Sequence, residues 1–314
     1  MNRRWSALCA AVIAVQTFLL LVRTEMGVGF AFPARPGPEP AAAAGEPLPA
    51  EETSPAPAGT ASPTPESTPF PAAETLLENR TGFTPDLEAL ASEPLKLRLP
   101  KEGVQILIVH THGTEAYTPV AGEEYAASDP YHTTDPTKSV IRVGDVLQQT
   151  LESYGLTVLH DRTLYDYPGY NGAYDRSASA VSRALAEHPE IAVVIDVHRD
   201  APGNPDAAYK NISHREGEAA RVMLVIGTGE NGLAHPNWQE NLALALALQL
   251  AASESCPGLT RPIHLARERY NQQLSPGAFI LEVGSNGNTL SEAERAAEAF
   301  GRIAAPLFCS LREG

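Results

Sequence analysis

Cysteine is scarce in this chain: three residues in 314. Cys9 lies in an N-terminal apolar segment, and Cys256 and Cys309 stand far apart without a CxxC neighbour. A disulfide framework is therefore excluded. What remains is one Cys256–Cys309 bridge in an oxidising compartment or two unpaired thiols. Basic residues are also short, 23 Lys and Arg against 38 Asp and Glu, for a net charge of −15. A nucleic-acid binder needs a basic face, so that class is excluded. No long hydrophobic run follows residue 22. At most one membrane span is expected.

That one span has a clear candidate. Trp5 to Val22 carries no charge, with Arg3 and Arg4 before it and Arg23 after it. The run approaches the ~20 residues that cross a bilayer core and exceeds a secretory h-region of roughly 7–15. The preceding arginines favour a cytoplasmic N-terminus. Residues 1–24 are thus expected to be a single-pass signal anchor with the bulk of the chain outside the cell membrane. A cleaved signal peptide, cut near Ala31 or Ala41–Ala44, is the competing reading.

Residues 25–75 form a Pro/Ala-rich linker; 12 prolines fall between residues 33 and 71. Such composition cannot bury enough apolar surface to offset its ordering entropy, and a disordered tether is expected. Residues 76–101 read as a transition with one short amphipathic helix around Leu87–Ala91.

From residue 102 to 314 the pattern becomes globular. Short apolar runs mark strands at Ile106–Val109, Leu156–His160, Ile191–Val197, Val222–Ile226 and Phe279–Val283. Between them, apolar residues step by three or four: Val140 to Tyr154, Ala178 to Leu185, Leu242 to Leu250 and Leu290 to Ala305. Strands alternating with helices imply an α/β layered domain.

Three of the strand-like runs end in groups able to bind a metal. Ile106–Val109 runs into His110, His112 and Glu115. Ile191–Val197 runs into His198, Arg199 and Asp200. Phe279–Leu281 runs into Glu282. In an open α/β sheet, ligands bind beyond the carboxyl ends of strands. Three strands delivering such groups to one edge can build a zinc site with an open position, and a metallohydrolase is expected.

Four segments carry a more specific likeness. They are His110-Thr-His-Gly-Thr-Glu-Ala-Tyr117, Asp196-Val-His-Arg-Asp200, His235-Pro-Asn-Trp-Gln-Glu-Asn241, and Arg269-Tyr-Asn-Gln-Gln-Leu-Ser-Pro-Gly-Ala278 running on to Leu281-Glu-Val-Gly-Ser-Asn-Gly-Asn-Thr289. In this order they resemble the stage II sporulation protein P family of endospore-forming bacteria, over roughly residues 102–308. The resemblance implies a zinc-dependent N-acetylmuramoyl-L-alanine amidase acting on peptidoglycan, with endopeptidase activity also attributed to the family. It implies work at the engulfing membrane with sporulation proteins D and M. It implies the fold of the zinc amidases, an open, mostly parallel sheet with helices on both faces.

The resemblance also assigns roles. His112-Gly113 matches the amidase segment whose His binds zinc, and His198 matches their second His. Leu281-Glu282-Val283-Gly284 matches the segment carrying the catalytic Glu. Desolvation among apolar neighbours would raise the Glu282 pKa toward the operating pH, as a general base requires. The carboxylate ligand stays open. Glu115 makes His-x-x-Glu with His112, whereas the amidases place this Glu more than ten residues after the His, where Glu123 and Glu124 stand. His110 either binds the metal or orients a ligand through its ring N–H. Asp196 and Asp200 are candidates for that second task. Arg199 is expected to contact a substrate carboxylate or an oxyanion, or else to form a salt bridge on the rim.

Tyr270, Asn271, Gln272, Asn286 and Asn288 suit either substrate recognition or turn chemistry. Asn237 is a possible helix cap, His235 a structural or rim group. Tyr167, Tyr170 and Tyr174 could form a wall for glycan, but core packing is the use expected of them. Two competing functions keep the sequence features: a zinc endopeptidase or carboxypeptidase on stem peptides, and a non-catalytic scaffold of an engulfment complex.

Overall fold

The computed structural model describes residues 70–202, 208–213 and 218–312. The expected anchor at 1–24 and the linker up to residue 69 lie outside the described residues. Among the described residues no helix is long and apolar enough to cross a membrane.

A mixed seven-stranded sheet organises the fold. Its strands are β1 (Leu77–Asn79), β2 (Ile106–Val109), β3 (Val158–His160), β4 (Val193–Asp200), β7 (Val222–Gly227), β8 (Ile263–Ala266) and β9 (Ala278–Ser285), in the order β1-β8-β7-β9-β4-β2-β3. A small hairpin, β5 (Ile212–Ser213) with β6 (Ala219–Ala220), stands apart. All pairings in the main sheet are parallel except β7 against β9. The expected α/β, mostly parallel architecture is what the chain adopts. The carboxyl ends of β2, β4 and β9 open on one edge, and β7 enters beside them from the opposite direction.

The helices are α1 (Ala73–Leu76), α2 (Leu87–Ser92), α3 (Val140–Ser153), α4 (Ala173–Glu187), α5 (Trp238–Ser255) and α6 (Leu290–Ser310). Both faces of the sheet are covered. Side chains alternate along β2: Leu107 and Val109 pack with Ala180 and Val181 of α4. The opposite face carries His110, which meets α3 at Gly144. Ser139 caps α3 by accepting from Ile141 N at 3.2 Å. Thr289 and Glu292 form a capping box at the start of α6. Asn237 occupies the cap position of α5 without capping it; its amide instead donates to the Gln273 carbonyl at 3.4 Å.

One boundary moves, and one alternative is decided. The boundary at residue 102 falls inside the folded unit, because β1 is an edge strand of the main sheet and the compact unit begins at Pro71. A three-residue strand held by its neighbour leaves no periodicity to read. Cys256 and Cys309 are not joined by a disulfide.

Candidate metal centre

His112, Glu115 and His198 converge beyond the ends of β2 and β4, each offering one ligand atom within 4.8 Å of the others. Glu115 lies between the two imidazoles, with Oε1 3.7 Å from His112 Nδ1 and Oε2 3.3 Å from His198 Nδ1. All three are buried. Burial acts to raise the Glu115 pKa, but His112, His198 and Arg199 outweigh it and hold the carboxyl well below its ordinary range. Burial likewise acts to lower the His198 pKa, and the carboxylates of Asp196 and Glu115 overrule it and push it well up. Two imidazoles and one carboxylate are the donor set of a catalytic zinc site with one position left open. The residues present fit that metal.

The supports of these three groups come from tertiary structure. Asp196, two residues before His198 on the same face of β4, places Oδ1 3.0 Å from His198 Nε2. Its carboxylate also accepts from Thr111 N at 2.8 Å and Thr111 Oγ1 at 2.6 Å. One side chain thus fixes the His198 ring and the turn that presents His112. With Nε2 held by Asp196, Nδ1 of His198 is the nitrogen turned toward Glu115. Asp166 grips the same turn by accepting from Thr114 N and Thr114 Oγ1.

Glu282 on β9 stands opposite His198 in register. Its Oε2 is inaccessible and accepts no hydrogen bond. Burial pushes the carboxyl up to about 8; Glu115 and Asp200 add to the rise, and His198 and Arg199 oppose it. This is the environment of a carboxylate that can take and return a proton near neutral pH. Glu282 and the three donors line a common cleft of about 450 Å³.

Several other residues land differently from expectation. Glu123 points away from the metal centre and accepts from Leu290 N at 3.0 Å and Ser291 N at 3.2 Å, at the first turn of α6. Glu124 accepts from Gly122 N at the surface. Geometry therefore brings only Glu115, of the three, to the histidines. Arg199 lies where β4 shifts register against β9, and it lines the same cleft as His198. Its Nε donates to Ala116 O and its Nη2 to Tyr131 O, both at 2.9 Å, while its amide donates to Glu115 Oε2 at 3.1 Å. These bonds clamp the segment that carries Glu115. Asp200 pairs with Arg261 at 2.5 Å and makes no contact with His198.

His110 leaves the site altogether. The chain turns after Val109, so strand alternation no longer puts His110 beside His112. Instead His110 Nδ1 bonds Val197 O at 3.0 Å and its Nε2 meets His160 Nε2 at 2.8 Å. His160 Nδ1 lies 3.3 Å from Asp145. No local pattern marks this pair, since its members are fifty residues apart and share no spacing.

The tyrosine loop was expected in the core. Tyr170 instead packs its ring on His112, with centroids 4.4 Å apart, and Tyr174 meets His112 edge-on at 5.5 Å. Both wall the site. Among the amide-rich residues, Gln272 bonds Gly227 N and Val225 O, Asn271 bonds Tyr174 O, and Asn286 and Asn288 bond Tyr209 N and Asn211 O. These are backbone supports. Tyr270 alone of that group lines the cleft. His235 is structural, with Nε2 3.0 Å from Asn241 Oδ1.

Comparison with known proteins agrees with the sequence reading. The family profile described as Stage II sporulation protein P (SpoIIP) matches residues 51–305. The chain is 33% identical over 207 residues to Stage II sporulation protein P of Bacillus subtilis (strain 168), covering 62% of this chain and 48% of that protein. The chain thus spans about half the length of the curated relative it matches. Among solved structures it is similar to the CwlD amidase of Clostridioides difficile in complex with the GerS lipoprotein, at a TM-score of 0.43 and 13% identity over 66% of this chain and 98% of that one. It is similar to the N-acetylmuramoyl-L-alanine amidase AmiC2 of Nostoc punctiforme at a TM-score of 0.37 and 11% identity, over 68% and 99%. Both structural likenesses are weak, and the functional reading does not lean on them. On the extent of the family match, the chain belongs to the stage II sporulation protein P family.

Proposed function

We propose that this chain is a zinc-dependent peptidoglycan hydrolase of sporulation. The bond cut joins the lactyl carbonyl of N-acetylmuramic acid to L-alanine. The observation that carries the reading is the unpartnered, proton-hungry carboxyl of Glu282 facing His198 beside a His-Glu-His donor set. Family membership supports the setting in sporulation, and the resemblance of the four sequence segments supplies the substrate class.

His112, Glu115 and His198 would hold the metal. Zinc, when bound, lowers the pKa of water from 15.7 to about 7 and polarises a carbonyl. Glu282 accepts the proton of the attacking water and returns it to the leaving amine of L-alanine. Asp196 keeps the His198 ring oriented. Tyr170 and Tyr174 screen one side of His112 from solvent and fix its ring. Arg199 holds the Glu115 segment against β4.

The same reading places the domain outside the cell membrane on its N-terminal anchor and tether, working with sporulation proteins D and M. The test is product analysis on purified cell wall with zinc content measured on the same preparation. A free lactyl group with about one zinc per chain is the expected result. A new peptide end would move the reading to an endopeptidase, and absence of both zinc and turnover would leave a scaffold.

A further inference from the structure

We infer that Tyr170 is a catalytic residue, whose hydroxyl donates a hydrogen bond to the oxyanion that forms as water adds to the scissile carbonyl. This rests on the hydrolase reading above and adds to it a group that none of the four sequence segments contains.

The aim of the side chain is the first observation. The Tyr170 hydroxyl oxygen stands 3.4 Å from His112 Nδ1, the nitrogen that also faces Glu115 Oε1 at 3.7 Å. The Tyr170 ring lies over the His112 ring, with 4.4 Å between centroids and 32° between planes. The phenol therefore points at the donor atoms of the metal centre. A neutral imidazole has one nitrogen free to accept. Once His112 Nδ1 gives its lone pair to a metal, it accepts nothing from Tyr170. The hydroxyl is then left beside the donor set with a proton to donate.

The hold on the backbone is the second. Arg176, near the start of α4, donates Nε to Tyr165 O at 2.6 Å, Nη1 to Asn171 O at 3.2 Å and Nη2 to Gly169 O. One guanidinium thus pins the carbonyls on both sides of Tyr170. Asp166 of the same loop accepts from Thr114, in the turn that carries His112. Loop and turn are tied together, so the hydroxyl and the His112 ring keep their spacing. Donors fixed before the reaction stabilise developing charge best, because they need no reorganisation when it appears. Two arginines of the cleft are engaged elsewhere: Arg199 gives Nε and Nη2 to Ala116 O and Tyr131 O, and Arg261 gives Nη1 to Asp200.

The step balances without a further reactant. The water oxygen bonds to the carbonyl carbon, the carbonyl π pair moves onto its oxygen, and Glu282 takes the proton of the water. Tyr170, a phenol of pKa about 10, keeps its proton and shares it as a hydrogen bond. The oxyanion pair then re-forms the carbonyl, the C–N pair leaves with nitrogen, and Glu282 supplies the proton that nitrogen needs.

Tyr170→Phe keeps the ring on His112 and removes only the hydroxyl. The residue is 58% exposed, so the change does not threaten folding. On the zinc-loaded full chain, kcat for hydrolysis of N-acetylmuramoyl-L-alanine should fall about 10²–10³-fold, the usual cost of one oxyanion donor. KM and zinc content should stay unchanged. The second readout is equilibrium binding of a phosphinate analogue of the same compound, whose tetrahedral anionic group copies the oxyanion. Its affinity should fall by a similar factor, as preferential binding of the transition state requires. An unchanged kcat, a rise in KM alone, a loss of zinc, or equal affinity of both proteins for the analogue would each overturn the assignment. An unaltered chain that holds zinc but cuts nothing would instead sink the hydrolase reading, and analogue binding would still decide the role of Tyr170.

Discussion

His198 and Glu282 stand opposite each other on neighbouring parallel strands, β4 and β9. One strand edge thus delivers a metal donor and a proton acceptor side by side, at a spacing the backbone ladder itself fixes.

The division of labour between the carboxylates can be separated by paired measurements. Glu282→Gln keeps the side chain's shape and should keep zinc while turnover falls by about 10²–10⁴-fold, the usual cost of losing a general base. Glu115→Gln should lose metal affinity and activity together. Zinc content and turnover on the same preparations decide it; a Glu282→Gln protein stripped of metal would reverse the two roles.

Asp196 acts through His198 and Thr111. Asp196→Asn should weaken zinc affinity by about 10–100-fold, the common cost of losing such a support. Titration with a zinc chelator reads the change, and an unaltered affinity would show that the His198 ring is held by packing alone.

Arg199 is a clamp, so its loss should appear in stability. Arg199→Leu removes charge-assisted bonds to Ala116 O and Tyr131 O, each worth about 1.5–3 kcal/mol. Urea melts should show a lower midpoint with an unchanged slope. If stability holds and only KM rises, Arg199 touches substrate after all.

The His110–His160 pair should make the domain acid-sensitive. Burial lowers the His110 pKa from 6.5 to about 4, and burial with the neighbouring His110 and Arg162 also lowers that of His160. A folded pKa below the unfolded value means that the unfolded chain binds more protons, so this contribution to stability shrinks as pH falls. The contribution is complete above 6.5 and is lost as pH drops toward about 4. His198 moves in the opposite sense, its stabilisation being lost only as pH rises above 6.5. Glu282, raised to about 8, opposes this by gaining stability as pH falls over the same window. Urea melts of metal-free Glu282→Gln protein between pH 7 and 5 therefore test the sign; a flat profile there would mean that the pair remains protonated in the fold.

Gly144 is the contact that lets α3 approach this pair. A Cβ there would sit 2.7 Å from both His110 Nε2 and His160 Nε2. Gly144→Ala should therefore cost about 1–3 kcal/mol, the usual penalty of overpacking, despite alanine's better helix propensity. A gain in thermal midpoint would show that the helix can step back.

Much of this protein is determined by sequence alone. The apolar runs of β2, β4, β7 and β9 can be read because each is a continuous buried stretch. His112 and Glu115 can be read because they stand three positions apart in one turn, and Glu282 because a charge stands alone in an apolar strand. Tertiary structure decided the rest. Whether Glu115 or Glu123 reaches the histidines depends on where α6 begins, since its exposed backbone N–H groups claim the Glu123 carboxylate. The turn after Val109 sends His110 into the core, and the carbonyls of Ala116 and Tyr131 draw the Arg199 guanidinium onto the Glu115 segment. Strands β1 and β8, at and next to one edge of the sheet, are too short to carry a period; β8 exists because β7 offers it a ladder, and β1 because β8 does. Sequence sets which groups are available; strand register and helix placement set which of them meet, because those contacts join residues too far apart in the chain for any local pattern to encode.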